Sequence, residues 1–129
     1  MVDVPRANGL VLCDRLLTDP ATGQTSFRGL FHQFEVLGFA EPVGFTLYAF
    51  LEGGSGEGRL TITLFDIAGP RPLLIHRFRR WIGFASEPGV IHFEQRLRGV
   101  RSRRIGPHLV QVRYEGALVA ERRFIVRKG

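Results

Sequence analysis

Proline and glycine separate a series of short apolar runs in this chain, and this spacing constrains the fold more than any other feature. The seven prolines and most of the sixteen glycines fall between the runs. Because both residues interrupt strands and form turns, the pattern predicts an antiparallel all-β domain. The eight expected strands are Asn8–Leu17, Thr25–Leu37, Val43–Glu52, Gly58–Ile67, Leu73–Ile82, Gly89–Leu97, Pro107–Glu115 and Ala117–Arg127.

Alternation of apolar and polar residues indicates which side chains of each strand face the core. Leu60, Ile62 and Leu64 share one face of their strand, since successive side chains in a strand point to opposite sides. The inner residues of two further runs are Phe45, Leu47, Ala49 and Leu51, and Ile91, Phe93 and Leu97. No segment has a helical period, so we expect one domain over residues 1–129, a two-sheet β-sandwich of the immunoglobulin-like type with about eight strands and no substantial helix.

The turns differ in how specific their sequences are. Glu115-Gly116 separates the last two strands and is typical of a two-residue type I′ hairpin. In the second strand of this hairpin Arg122 falls on the inward side, which predicts that it lies at a sheet edge or beside an acid. The segment Glu52–Gly58 is rich in glycine but lacks the following helix and the Lys-Ser/Thr pair of a phosphate-binding loop. It is therefore expected to be a hairpin loop.

The charge is unevenly distributed along the chain. The formal net charge is +6, with five arginines against eight acids over residues 1–75 and twelve arginines plus Lys128 against four acids over residues 76–129. The single cysteine, Cys13, excludes an internal disulfide, and neither a signal sequence nor an apolar membrane span is evident. These features predict a cytoplasmic protein.

Three segments together resemble a family of short bacterial β-sandwich domains that carries no established activity. They are Leu10–Asp14, Phe27–Phe31 and the closing hairpin from Gly106 to Val126. In that family a small residue interrupts the second strand and a glycine-bearing turn joins the last two, as Gly29 and Gly116 do here, whereas the arginine-rich stretch before Gly106 departs from the pattern. The resemblance covers most of the chain and implies the fold but no chemistry.

Residues for catalysis or metal binding are scattered. Cys13 continues an apolar run and is expected to be a small buried hydrophobe, although four histidines elsewhere supply potential bases. A metal site across strands would need His92, His108 and an acid such as Glu94, which have no local ligand spacing. We therefore predict no enzyme, no cofactor and no metal.

Two surface features remain as candidate sites. Tyr48 and Phe50 fall on the outer face of their strand, which predicts a contact with a protein partner or a second copy of the chain. The alternative is a site for a polyanion or nucleic acid at Arg98, Arg101, Arg103 and Arg104, within the arginine-rich 96–104 segment. Arg77, Arg79 and Arg80 lead into Trp81, which with Phe84 would supply aromatic surface for base stacking.

The resulting prediction is a non-catalytic protein-interaction or structural module, with self-association as one expected mode. Polyanion or nucleic-acid binding through the 96–104 segment is the alternative, and no membrane contact is expected.

Overall fold

All regular structure in the described part of this chain is β-strand. A computed structural model describes residues 4–29, 33–36 and 42–128, and it has no helix within them. The strands are β1 (Arg6–Cys13), β2 (Arg15–Thr18), β3 (Thr25–Arg28), β4 (Gln33–Val36), β5 (Val43–Asp66), β6 (Leu73–Val100), β7 (Gly106–Tyr114) and β8 (Ala117–Lys128). The predicted all-β class is confirmed, and the described residues contain no helix that could cross a membrane.

Two very long strands replace four of the expected short ones. β5 has 24 residues and β6 has 28, and they pair antiparallel from Val43↔Val100 to Asp66↔Leu73. The predicted hairpin loop at Glu52–Gly58 is wrong, because this segment is the middle of β5 and pairs with β6. The break expected between the strands Leu73–Ile82 and Gly89–Leu97 is likewise absent, because β6 runs through it without interruption.

Glycines let β5 bend sharply without leaving the sheet. The β5–β6 register shifts on both sides of Gly54, and Gly53 and Gly56 have φ angles of 79° and 66°. Such bulges bend a strand and increase its twist. The bend divides β5 and β6 into two halves that enclose one core.

Two aromatic rings fill the inside of this bend. A Cβ atom on Gly54 would stand 2.4 Å from the Phe84 ring, and one on Gly58 would stand 2.4 Å from the Tyr114 ring. The two rings also contact each other edge to face, with centroids 6.0 Å apart. Both glycines are therefore required because ring carbons occupy the space of a side chain.

The six-stranded sheet curls around its own core as a half-barrel. Its order is β1-β5-β7-β8-β4, with β6 on the other side of β5, and β2 and β3 form a separate hairpin. Pairing is antiparallel except that β4 runs parallel to β8. Because β5 and β6 continue through both halves, one continuous sheet encloses the core, and the structure shows a half-barrel where two separate sheets were expected.

The predicted inward faces are confirmed on the long strands. Leu47, Leu51, Ile62 and Leu64 are each 0% exposed, and they belong to one core cluster with the buried side chains of β7. Strand alternation thus placed the core correctly even where the strand boundaries were wrong.

Arginine side chains form hydrogen bonds across the seams of the half-barrel, where neighbouring strand segments are not paired with each other. The inward-facing Arg122 of β8 donates a hydrogen bond from Nη1 to the carbonyl oxygen of Leu10 in β1, at 2.7 Å. Arg80 donates to the side chain of Gln95, at 3.0 Å, and so joins the two halves of β6. Of the two positions considered for Arg122, the structure shows the sheet edge.

The closing hairpin has the predicted turn. Glu115 and Gly116 have φ angles of 48° and 84°, and two positive values at the central residues define a type I′ turn. β7 and β8 pair on either side of it, down to Gly106↔Val126.

Replacement of Gly58 tests the bend. We expect Gly58→Ala to lower the free energy of unfolding by about 1–3 kcal/mol, because the new methyl group overlaps the buried Tyr114 ring. Gly83→Ala is the matched control, since its Cβ would meet only the flexible Glu57 side chain, at 3.3 Å. Urea denaturation followed by circular dichroism measures the free energy of unfolding of both variants. An equal decrease in the two would show that the Tyr114 ring does not restrict the residue at position 58.

Candidate functional site

Tyr48 and Phe50 lie on the outer face of the first half of β5, as predicted, but other side chains cover part of each. The Tyr48 hydroxyl is hydrogen-bonded to Nδ1 of His92, and the Phe27 ring of β3 packs edge-on against Tyr48 with centroids 5.1 Å apart. Phe50 contacts His92 in the same way, at 4.7 Å. The β2–β3 hairpin and β6 therefore leave both rings half-buried.

The four arginines proposed for polyanion binding have different surroundings. Arg98, Arg101 and Arg103 are exposed, whereas Arg104 donates from Nε to Oδ2 of Asp66, at 2.8 Å. Since the Asp66 side chain is 0% exposed, this ion pair holds the segment after β6 to the end of β5. Arg104 is thus part of the framework that positions Arg101 and Arg103.

Burial and hydrogen bonding act in opposite directions on Asp66. Burial alone would raise the pKa of its carboxyl, but hydrogen bonds from Arg104 and the Ala68 N–H, with the charges of Arg104 and His108, hold the pKa below its usual value. The folded protein therefore keeps an ionised carboxylate beneath the arginine-rich segment.

A second buried pair fixes the same segment. The Ser102 hydroxyl lies 2.8 Å from Nε2 of His108 and 2.9 Å from the carbonyl oxygen of Arg104, while Nδ1 of His108 lies 3.0 Å from the carbonyl oxygen of Gly106. Ser102 is 4% exposed and His108 is 0% exposed. Through these hydrogen bonds the serine–histidine pair anchors the backbone of the segment after β6.

Sequence reasoning missed these anchors, although a signal was present. Asp66 continues the inward series of Leu60, Ile62 and Leu64, and His108 occupies the inward series of β7. A polar residue at an inward position requires a partner. That requirement could have indicated a buried polar cluster at this end of the sheet.

Five arginines from four strands share the outer side of the second half of the sheet. Thr61 pairs with Arg79 on one side and Arg113 on the other, and Thr63 pairs with Arg77. Since directly paired residues project to the same face, the register brings these side chains together. This outer arginine face consists of Arg59, Arg77, Arg79, Arg113 and Arg123.

The cluster of three arginines before Trp81 divides between two faces. Arg77 and Arg79 are exposed on the outer arginine face, and within the described residues neither forms an ion pair. Arg80 points to the other side, where it bonds to Gln95 and lies over the Phe93 ring at 4.9 Å. The tertiary structure therefore assigns Arg80 to the framework and leaves its two neighbours on the surface.

Trp81 is the most exposed large apolar side chain described, at 63%. The Arg59 guanidinium lies over its indole, with Cζ 5.5 Å from the ring centroid. Arg59, Arg79, Arg80 and Trp81 line a cavity of about 230 Å³. Phe84, the other expected stacking residue, is instead buried at the bend, at 8% exposure.

Three acidic residues, Glu57, Glu115 and Glu121, lie on or beside this face and are outnumbered by its five arginines. Glu121 accepts a hydrogen bond from Gln111 at 3.0 Å, and Glu57 stands beside Gly83 beyond Trp81. Glu115 follows at the hairpin turn. The centre of the face around Arg77, Arg79 and Thr61 contains arginine and threonine, so its local charge is positive.

The residues considered for catalysis or metal binding do not converge. Cys13 is 0% exposed, and burial, followed by the negative charge of Asp14, raises the pKa of its thiol. His92 is exposed on the outer face of one half of the sheet, whereas His108 is buried in the other half. Among the described residues no group of three or more histidine, cysteine or acidic side chains could hold a metal ion.

Comparisons with known proteins find matches among solved structures. No family model and no curated protein matches this chain. A solved structure of Pseudomonas fluorescens alkylpurine DNA glycosylase AlkC, bound to DNA containing an abasic site analog, matches with a TM-score of 0.45 and 14% identity. The match covers 92% of this chain and 30% of the glycosylase. A likeness this low does not indicate a shared function.

Substitution of Arg104 tests the buried ion pair. We expect Arg104→Met to lower the free energy of unfolding at pH 7 by about 1–3 kcal/mol, because Asp66 loses a charged donor. Arg103→Met is the control, since Arg103 is exposed and forms no ion pair among the described residues. Chemical denaturation measures both variants.

The stability difference between wild type and Arg104→Met should depend on pH. Because the folded-state pKa of Asp66 is lowered, its contribution is complete above the ordinary aspartate value of about 3.9 and is lost as pH falls through the folded-state value. The difference between wild type and Arg104→Met should therefore be largest near neutral pH and decrease below about pH 4. A difference independent of pH would exclude Asp66 as the partner that matters.

Proposed function

We propose that this domain binds the phosphate backbone of nucleic acid through the outer arginine face. The observation that carries the proposal is that five arginines from β5, β6, β7 and β8 project from one side of the sheet. Guanidinium groups donate forked hydrogen bonds to phosphate oxygens, and neutralised phosphates release counterions. Neither Arg77 nor Arg79 has an acid within ion-pair distance in the described structure, so both are available to a ligand.

The arginine-rich segment after β6 supports an extension of this face. Arg101 and Arg103 line a cavity of about 390 Å³ with Leu74, Ile75 and Gly99. Through Phe65 and Leu109, Leu74 lies in the same row of the strand register as Arg123 of the outer arginine face. The binding path therefore runs from the 101–103 segment along β6 to Arg79 and Trp81, and the ion pair of Arg104 with Asp66 positions its first part.

Further expectations belong to this proposal. The domain would act in the cytoplasm, where the free and buried thiol of Cys13 suits reducing conditions and nucleic acid is present. The two halves of the curled sheet would correspond to the layers of an immunoglobulin-like sandwich. Protein binding or self-association through Tyr48 and Phe50 stays a separate prediction. It has less support than nucleic-acid binding by the outer arginine face, because Phe27 packs against Tyr48 and His92 packs against Phe50.

Paired substitutions test the outer arginine face. We expect Arg77→Ala/Arg79→Ala to weaken binding to a short DNA duplex and to flatten the dependence of log affinity on log salt concentration, by about 0.9 for each phosphate that the variant no longer neutralises. Fluorescence anisotropy with labelled DNA over a salt series measures both quantities. Arg101→Ala/Arg103→Ala reports on the extension of the path in the same assay.

The control keeps the net charge equal. Arg6→Ala/Arg28→Ala also removes two exposed arginines, but from β1 and β3. It should retain most of the affinity and the wild-type salt slope. An equal loss in this control, or wild-type protein that binds no DNA, would contradict the proposal, and light scattering that shows a dimer insensitive to salt would favour self-association instead.

A further inference from the structure

We infer that the nucleic acid bound by this domain is single-stranded, and that Trp81 stacks against one of its bases. This inference rests on the proposed function, because it names the ligand class of the same face. In a duplex both faces of each internal base are covered by neighbouring bases, whereas an unpaired strand can place a base flat on an aromatic side chain. The structure supplies such a side chain at the end of the row of arginines.

Trp81 has the position and exposure of a stacking platform. It lies within β6, which pairs only with β5 among the described strands and so forms a rim of the sheet. The indole is 63% exposed, although tryptophan side chains are highly buried on average. Arg59, directly opposite in the register, lies over the ring and adds a cation near a stacked base.

Arginines continue from the indole in one direction along the strand. Arg79 and Arg77 precede Trp81 by two and four residues and project from the same face. Side chains two residues apart in a strand are separated by about 6.6 Å. A strand lying along β6 could therefore place its phosphates against Arg77 and Arg79 while a base at its end reaches Trp81.

An acid lies in the other direction. Glu57 pairs with Gly83, two residues beyond Trp81, and its Cγ is 3.3 Å from the point where a Gly83 Cβ would stand. A carboxylate repels phosphate but accepts hydrogen bonds from the exocyclic amino groups of bases. The phosphates of the bound strand would therefore lie on the Arg79 side of Trp81, and a base would lie on the Glu57 side.

The chain contains one tryptophan, so its fluorescence reports on this site alone. The probes are a single-stranded oligo-dC, an oligonucleotide of the same length in which every base is absent, and a duplex. We expect oligo-dC to quench the fluorescence of Trp81 and the abasic strand to bind without comparable quenching. The abasic strand carries the same phosphates, so it isolates the contribution of the bases.

Substitution of Trp81 completes the test, with anisotropy of labelled strands as the readout. Trp81→Ala should weaken oligo-dC binding about tenfold and leave abasic-strand binding nearly unchanged, whereas Trp81→Phe should retain part of the preference. Leu118→Ala is the matched control, since Leu118 is 46% exposed and pairs with Arg113 of the same face. Circular dichroism verifies that each variant is folded.

The outcomes separate the two proposals. Equal affinity for oligo-dC and the abasic strand, with no quenching, would overturn the base-stacking inference and leave phosphate binding by the arginine face intact. Tighter binding of the duplex than of oligo-dC would also overturn it. Failure of all three probes to bind would instead overturn the proposed function itself.

Discussion

The bend at Gly54 and Gly58 is the constraint on which the rest of this structure depends. The Phe84 and Tyr114 rings occupy the space where side chains at these two positions would lie, so the long β5–β6 ladder turns back and surrounds its core. Without the bend, both strands would be extended ribbons with one apolar face exposed to water, at a cost of about 25 cal/mol for each Å² of that surface. The bend also gives the second half of the sheet a separate outer side, on which the arginine face is built.

The arginines of this chain serve two different purposes, and within β6 and β8 strand parity separates them. Arg80, Arg104 and Arg122 point toward buried or seam positions, where their guanidinium groups satisfy a glutamine side chain, a carboxylate or a backbone carbonyl. Arg77 and Arg79, on the opposite parity of β6, remain on the surface. A total of seventeen arginines therefore overstates the basic surface, because several have internal partners.

The buried polar cluster at the end of the sheet links the core to the proposed binding surface. Asp66 and His108 are paired across β5 and β7, and each holds a residue of the arginine-rich segment, Arg104 and Ser102 respectively. This arrangement gives a segment without regular structure a defined path. Rigidity of this kind reduces the entropy lost when arginines bind a ligand.

Alternation along the sequence determined the all-β class, the inward faces of the long strands and the closing hairpin, since each depends on residues close together in the chain. Local pattern could not distinguish a glycine-rich turn from a glycine-rich bend, because the difference lies in whether Phe84 and Tyr114 pack against Gly54 and Gly58. The same limit applies to the candidate site. Arg59, Arg113 and Arg123 join Arg77 and Arg79 only through the register of four strands, which is set by long-range hydrogen bonds and burial.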